Sequence, residues 1–251
     1  MMNLTKFQEK NLVFIPFFVS GFPSYDYLEK LIKRNKKYID ILELGIPFSD
    51  PVADGPVLEE VNYEAIKRGV TLEKTLDWLS KNKIPQEIPI VFLLYLNTIY
   101  DDLEKKLKDI KEVGIKGLVI PDLPLEEAEN LMPIFKKYQL DLVLFLSPTT
   151  RVERRKKILE LAESFIYCIS VKGVTGERDT LPEEGLKFVK EVRKETEKPL
   201  VWGFGVNKKE HIESLKGLVN GVIVGSAFAK RMLEGKDIED YLKELSIVSW
   251  V

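Results

Sequence analysis

Short apolar runs recur along the whole chain, and their number and spacing restrict the fold more than any other feature. Each run is nearly continuous and rich in Val, Ile, Leu and Phe, which is typical of strands buried on both faces of a parallel sheet. The runs are NLVFIPFFVS (11–20), IDILELGI (39–46), IPIVFLLYL (88–96), IKGLVIP (115–121), LDLVLFLS (140–147), SFIYCISV (164–171), PLVWGFGV (199–206) and GVIVGSA (221–227).

Charged, amphipathic segments lie between these runs. In DDLEKKLKDIKEVG (101–114), for example, Leu103, Leu107 and Ile110 recur at helical spacing. Eight strands that alternate with helices predict an α/β fold, a single (β/α)₈ TIM barrel over residues 1–251. The alternative is an open doubly wound sheet. Such a sheet normally has a glycine-rich dinucleotide motif after its first strand, and GFPSYD (21–26) is not one.

The composition argues against several classes of protein. Lys and Arg number 38 against 40 Asp and Glu, and this balance is not that of a nucleic-acid binder. With one cysteine, Cys168, the chain cannot form an intramolecular disulfide. Together with its one histidine, His211, it cannot build a His/Cys metal site, although a carboxylate-bound Mg²⁺ is still compatible with the sequence. No apolar run approaches the length of a transmembrane helix. We therefore expect a cytoplasmic protein without metal, membrane or nucleic acid.

The active site of a barrel lies at the carboxyl ends of its strands, so the residues that follow each run are the candidates for chemistry. The second run leads into LELGIPFSDPVADGP (42–56). Strand alternation places Ile39, Ile41 and Glu43 on one face. If that face lines the lumen, burial raises the pKa of Glu43 and makes it a proton donor. If it faces a helix, Glu43 has only a structural role.

Two aspartates, Asp50 and Asp54, follow in the loop among prolines and glycines. Loop aspartates usually stabilise turns, and Asp54 is also placed to cap a helix that starts near Pro56. From the residues alone, both a catalytic role and a structural role in a turn or helix cap are possible for each aspartate.

Three glycine motifs follow the last three runs: GVTGERD (173–179), GFGV (203–206) and VGSAFAKRM (224–232). Glycine lets backbone N–H groups approach an anion, and the loops after strands seven and eight form the usual phosphate site of such barrels. The order of these motifs predicts a phosphorylated ligand bound near a short helix that starts at Gly225-Ser226.

Aromatic side chains also gather near the predicted strand ends, namely Phe17, Tyr95, Tyr167 and Phe204. A pocket among them would hold a flat apolar ring, although each taken alone is more typical of an ordinary core residue. His211 lies in a charged helical segment away from any strand end, so the pattern does not suggest a Ser-His-Asp triad.

The segment LELGIPFSDPVADGP resembles the signature of tryptophan synthase alpha subunits. IPFFVSGFPS (15–24), LLYLNTIY (93–100), VIPDLPLEE (119–127) and YCISVKGVTGERD (167–179) follow in that family's order, so that the likeness covers almost the whole chain. It implies that Glu43 and Asp54 are the catalytic pair. The substrate-binding residues that it implies are Phe17, Leu93, Tyr95, Val119 and Tyr167 for the indole ring, Thr175 on a mobile loop, and Gly176, Phe204, Gly205, Gly225 and Ser226 for the phosphate.

The resemblance further implies a lyase of tryptophan biosynthesis that cleaves indole-3-glycerol phosphate to indole and glyceraldehyde-3-phosphate. It implies no cofactor, and a tryptophan synthase beta subunit as partner in an alpha2beta2 heterotetramer. Two alternatives share the same residues: a stand-alone indole-releasing lyase, and a non-catalytic barrel that activates a partner. The chain departs from the family at Glu59, where Gln is common, and at Phe22 and Val171.

Overall fold

The computed structural model describes residues 5–52, 54–169 and 180–248 of the 251-residue chain. Within these ranges the chain alternates strands with helices. The strands are Val13–Val19 (β1), Leu42–Gly45 (β2), Ile90–Leu93 (β3), Gly117–Val119 (β4), Asp141–Leu146 (β5), Ile166–Cys168 (β6), Leu200–Trp202 (β7) and Gly221–Val224 (β8).

The strands form one closed parallel barrel in sequence order, with β1 paired to both β2 and β8. The predicted TIM barrel is therefore confirmed, and each predicted run contains one strand. The register aligns Phe17 with Glu43 and Glu43 with Val91, so these three residues occupy one level of the barrel.

Helices surround the barrel, as the amphipathic segments predicted. They are Thr5–Glu9 (α1), Tyr25–Asn35 (α2), Pro56–Lys67 (α3), Leu72–Asn82 (α4), Ile84–Glu87 (α5), Leu103–Val113 (α6), Leu125–Lys137 (α7), Val152–Leu161 (α8), Glu183–Arg193 (α9), Lys209–Leu215 (α10), Ser226–Leu233 (α11) and Glu239–Val248 (α12). None of the described helices is long and apolar enough to cross a bilayer.

The core has two layers, one inside the barrel and one between the barrel and the helices. The strands are buried along almost their whole length, because side chains on both faces pack against protein. In the outer layer, between the barrel and the helices, the ring of Phe18 packs on that of Phe228 of α11 with centroids 5.5 Å apart. This rigid frame places the loops after the strands on one face of the molecule.

A buried carboxylate joins the start of β1 to the segment that leads into β2. Asp40 accepts a hydrogen bond from the backbone N–H of Phe14 at 2.9 Å, and its own N–H donates to the Phe14 carbonyl at 3.2 Å. Lys10 forms an ion pair with the other oxygen of Asp40 at 2.6 Å. Asp40 thus extends the β1–β2 pairing beyond the strand residues themselves.

We expect Asp40→Ala to lower the free energy of unfolding by about 2–4 kcal/mol, because it removes the acceptor of the buried Phe14 N–H and a buried carboxylate that pairs with Lys10. Urea denaturation measures this. Asp77→Ala is the control, since Asp77 belongs to an exposed ion pair with Lys81 on α4 and its removal should change stability little. Equal, small losses in both variants would contradict the structural role of Asp40.

Candidate active site

Glu43 is the second residue of β2, and its side chain is fully buried. Neither of its carboxylate oxygens accepts a hydrogen bond from the described part of the chain. Burial raises the pKa of Glu43 to about 8, and the nearby Asp54 charge adds to the rise. At neutral pH Glu43 is therefore mostly a neutral acid that has a proton to give.

The Glu43 side chain points into the barrel lumen. The pKa of Tyr167, on β6, is raised by burial and then by the charges of Glu43 and Asp54. Since β2 and β6 lie on opposite sides of the eight-stranded ring, a carboxylate that acts on Tyr167 faces the lumen rather than the outer helices. Of the two orientations that strand alternation allowed, the structure has the inward one.

Asp54 precedes α3 but does not cap this helix. The helix begins at Pro56, as predicted, but its N-cap is Gly55, which forms no side-chain cap bond. The Oδ2 atom of Asp54 instead accepts a hydrogen bond from Asn62 Nδ2 at 3.0 Å. Burial raises the pKa of Asp54 to about 6, the Asn62 bond opposes this rise, and the Glu59 charge adds to it. Asp54 is therefore mostly ionised at neutral pH.

A cavity of about 430 Å³ opens at the carboxyl ends of the strands, a size suited to a small organic ligand. Asp54 and a set of mostly apolar side chains line it. The lining residues that come from strands include Phe17, Leu93, Phe145, Tyr167 and Ile223. An acid and a carboxylate thus stand beside a pocket suited to an apolar ring.

Backbone after β7 and β8 forms another part of the cavity wall. Gly205 has φ +68°, and Gly225 lies so close to Phe17 that an added Cβ would come within 2.7 Å of that ring. Gly225 is also the N-cap of α11 and provides no side-chain cap, so the first N–H groups of this helix remain available to an anion. These groups provide neutral donors and a helix dipole at one place.

Comparison with known proteins identifies the family. The sequence profile described as "Tryptophan synthase alpha chain" matches residues 3–249. A curated tryptophan synthase alpha chain from Dictyoglomus thermophilum is 64% identical over 240 residues, which cover 96% of this chain and 95% of the relative. The chain belongs to the tryptophan synthase alpha chain family. Its function is that of the family, an indole-3-glycerol-phosphate lyase of tryptophan biosynthesis, as predicted.

Solved structures of tryptophan synthase alpha chains and similar proteins share the fold. A structure from Aquifex aeolicus has a TM-score of 0.88 and 37% identity, and the match covers 98% of both chains. A chain of the tryptophan synthase a2b2 complex from Pyrococcus furiosus has a TM-score of 0.86 and 32% identity, and the match covers 94% of this chain and 98% of that one.

The structure brings most of the predicted site residues of this alpha chain together. Phe17, Leu93, Asp54, Tyr167, Phe204, Gly205, Gly225 and Ser226 all line the cavity. Glu43, Tyr95 and Val119 are buried and do not line the cavity. At the end of β4 the lining is formed instead by Ile120 and Pro121. Thr175 and Gly176 lie outside the described residues.

Sequence reasoning missed two residues of the site. Phe145 lines the cavity next to Tyr167, and the β5–β6 register aligns the two residues. Strand alternation in the fifth run was the signal that could have found it. Asn62, the hydrogen-bond donor to Asp54, lies on the buried side of α3 with Leu58 and Val61. A polar residue on an apolar helix face was the signal in that case.

The chain's cysteine and histidine take no part in this arrangement. Cys168 is fully buried, and burial raises the pKa of its thiol to about 12, so that it is not a thiolate nucleophile. His211 is buried in α10 and does not line the cavity.

We expect Gly205→Ala to weaken the binding of glycerol 3-phosphate at least tenfold, because a side chain at this positive φ displaces the backbone that lines the anion end. Calorimetric titration measures the affinity. Gly217→Ala is the matched control: Gly217 has φ +74°, an added Cβ there meets nothing within 4 Å, and it lies before β8, at the opposite end of the barrel. Equal affinities in both variants would contradict this anion site.

Proposed function

We propose that Glu43 and Asp54 carry out the lyase reaction in this chain, with Glu43 as the proton carrier. The observation that supports this most directly is a carboxylic acid with no hydrogen-bond partner among the described residues, buried in the lumen beside the cavity. Such an acid is neutral at pH 7, because burial disfavours its ionised form, and its pKa is close enough to neutrality for it to give a proton to a substrate and then take one back.

In the proposed reaction, the Glu43 carboxylic acid donates its proton to the indole ring carbon that carries the glycerol chain. The bond between that carbon and the glycerol carbon then breaks, and its electron pair stays with the ring. Ionised Glu43 takes the proton from the hydroxyl of the departing glycerol carbon, which becomes the aldehyde of glyceraldehyde-3-phosphate. One proton enters and one leaves, so Glu43 ends as it began, and no cofactor takes part.

Ionised Asp54 has a complementary role in the proposal. Protonation of the ring carbon places positive charge on the indole nitrogen, and an anionic acceptor near the ring N–H stabilises that charge. Asp54 lines the cavity and is mostly ionised at neutral pH. Phe17, Leu93 and Tyr167 supply the apolar walls for the ring.

The phosphate occupies the opposite end of the cavity in this proposal. Gly205 and the N-terminus of α11 at Gly225-Ser226 offer backbone N–H groups, and the helix dipole favours a negative charge there. A buried acid and a separate anion site would together fix the orientation of the substrate in the cavity.

We further propose that this chain acts with a tryptophan synthase beta subunit in an alpha2beta2 complex, as in the relatives from Pyrococcus furiosus. Two exposed apolar side chains support this proposal, Val52 in the loop after β2 and Tyr100 after β3, exposed by 80% and 64%. Both lie on the face where the cavity opens. A partner that covers this face would receive indole directly, and indole is small and apolar enough to diffuse away otherwise.

We expect Glu43→Gln and Asp54→Asn each to lower kcat by about 10²–10⁴-fold, since each removes a group that acts on the reacting ring. For the unsubstituted chain, kcat/KM should fall below about pH 6, as Asp54 is protonated, and above about pH 8, as Glu43 loses its proton. Steady-state indole release over a pH series measures both effects.

Glu59→Gln is the control for these variants. Glu59 is exposed in the first turn of α3 and raises the pKa of Asp54 from a distance, so its neutralisation should preserve turnover and move the acidic limb to slightly lower pH. Near-normal turnover by Glu43→Gln would show that the assignment of the acid is wrong.

We expect the chain to bind a beta subunit and to release indole faster in the complex than alone. The double variant Val52→Asp, Tyr100→Ala should bind at least tenfold more weakly. The control Ile66→Asp changes an apolar side chain that is 37% exposed near the other end of α3, and should bind normally. Association is measured by analytical ultracentrifugation. Absence of a complex at micromolar concentrations would favour the stand-alone lyase.

A further inference from the structure

The side-chain amide of Asn62 on α3 is buried, and both its NH₂ group and its carbonyl oxygen have hydrogen-bond partners. Its Nδ2 atom donates to Asp54 Oδ2 at 3.0 Å and to the Leu58 carbonyl at 2.9 Å. Its Oδ1 atom faces the backbone N–H of Phe48 at 3.4 Å. The reversed amide would place its carbonyl against two acceptors and its NH₂ against a donor, so the surroundings select one orientation.

We propose that Asn62 is the positioning residue for Asp54: it holds one carboxylate oxygen, and thereby keeps the group oriented toward the cavity and ionised. The inference rests on the proposed role of Asp54 as the acceptor at the ring N–H. It adds a residue that touches no substrate and acts through the carboxylate alone.

The support for Asn62 extends beyond its own helix. The ring of Phe48 stacks on that of Tyr95, after β3, with centroids 4.9 Å apart and an interplanar angle of 18°. The next residue, Leu96, donates its backbone N–H to both oxygens of Asp122, after β4, at 2.9 and 3.2 Å. The orientation of Asp54 therefore depends on the ends of three adjacent strands. This gives Tyr95 a place in the site although it does not line the cavity.

The same hydrogen bond affects the ionisation of Asp54. A donor to the ionised form favours that form, while burial and the charge of Glu59 favour the neutral form. Glu43 and Tyr167 are the other titratable groups that interact with Asp54 across the lumen, within the described ranges. Neither of them donates a hydrogen bond to Asp54. Loss of the Asn62 bond would therefore raise the pKa of Asp54, because burial and the charge of Glu59 would be less opposed.

The test compares Asn62→Ala with Asn35→Ala. Asn35 is a matched control, because it is also buried in a helix and its Nδ2 atom likewise donates to the carbonyl four residues earlier, at 2.9 Å, but it has no carboxylate partner and lies on α2. We expect Asn62→Ala to lower kcat at least tenfold, to change KM less than threefold, and to move the acidic limb up by about one pH unit. Asn35→Ala should change none of these.

Two further variants separate positioning from folding. Asn62→Gln keeps the amide donor and should recover part of kcat and of the acidic limb. Asn62→Leu has nearly the same shape without the donor; if Asn62→Ala does not fold, Asn62→Leu should show the same shift of the acidic limb. A purely structural residue would alter the free energy of unfolding and leave the pH profile in place.

The outcome for Asp54→Asn distinguishes the two levels of the proposal. If Asp54→Asn retains turnover, the role of Asp54 is wrong, whatever the Asn62 variants do. If Asp54→Asn is inactive while Asn62→Ala and Asn62→Leu keep the unsubstituted kcat and acidic limb, the positioning role of Asn62 alone is overturned.

Discussion

The burial of one carboxyl group, that of Glu43, is the constraint on which the rest of the site depends. A charge enclosed in an apolar lumen is costly, and the group responds by holding its proton to about pH 8. The closed barrel provides this enclosure, because its strands are buried on both faces. Phe17 and Val91 flank Glu43 at the same level of the barrel, where the Glu43 side chain is fully buried. The fold thus sets the protonation state of the acid.

A second carboxyl group nearby, that of Asp54, is mostly ionised at the pH at which Glu43 is neutral. Asp54 also lies in a largely buried place, but it accepts a hydrogen bond from Asn62 and its pKa rises only to about 6. The two environments separate the pKa values, so that one group is an acid and the other an anion at the same pH. The charge of Asp54 also raises the pKa of Glu43, and the charges of both groups raise the pKa of Tyr167. The pair works as a unit rather than as two independent residues.

The sequence was sufficient for the barrel and for the groups at the strand ends. Continuous apolar runs and regular spacing identify buried parallel strands, and glycines after the last strands mark the anion site.

Two kinds of information were missing from the sequence. The orientation of Glu43 depends on which strand face closes inward, a property of the whole ring that no single strand reveals. The Asn62 bond to Asp54 spans a loop and two helical turns, and its geometry exists only after α3 packs on the barrel. Val119 illustrates the same point, since the next residue, Ile120, lines the cavity while Val119 itself does not.

The central claim is that Glu43 is a neutral acid at physiological pH, and its titration tests this most directly. In the chain labelled with ¹³C at the glutamate side-chain carboxyl, the NMR signal that is absent from Glu43→Gln belongs to Glu43. The account predicts that this signal titrates near pH 8, and that Asp54→Asn lowers its midpoint by removing the neighbouring charge. A midpoint near 4.5, the ordinary value for glutamate, unmoved by Asp54→Asn, would contradict the account.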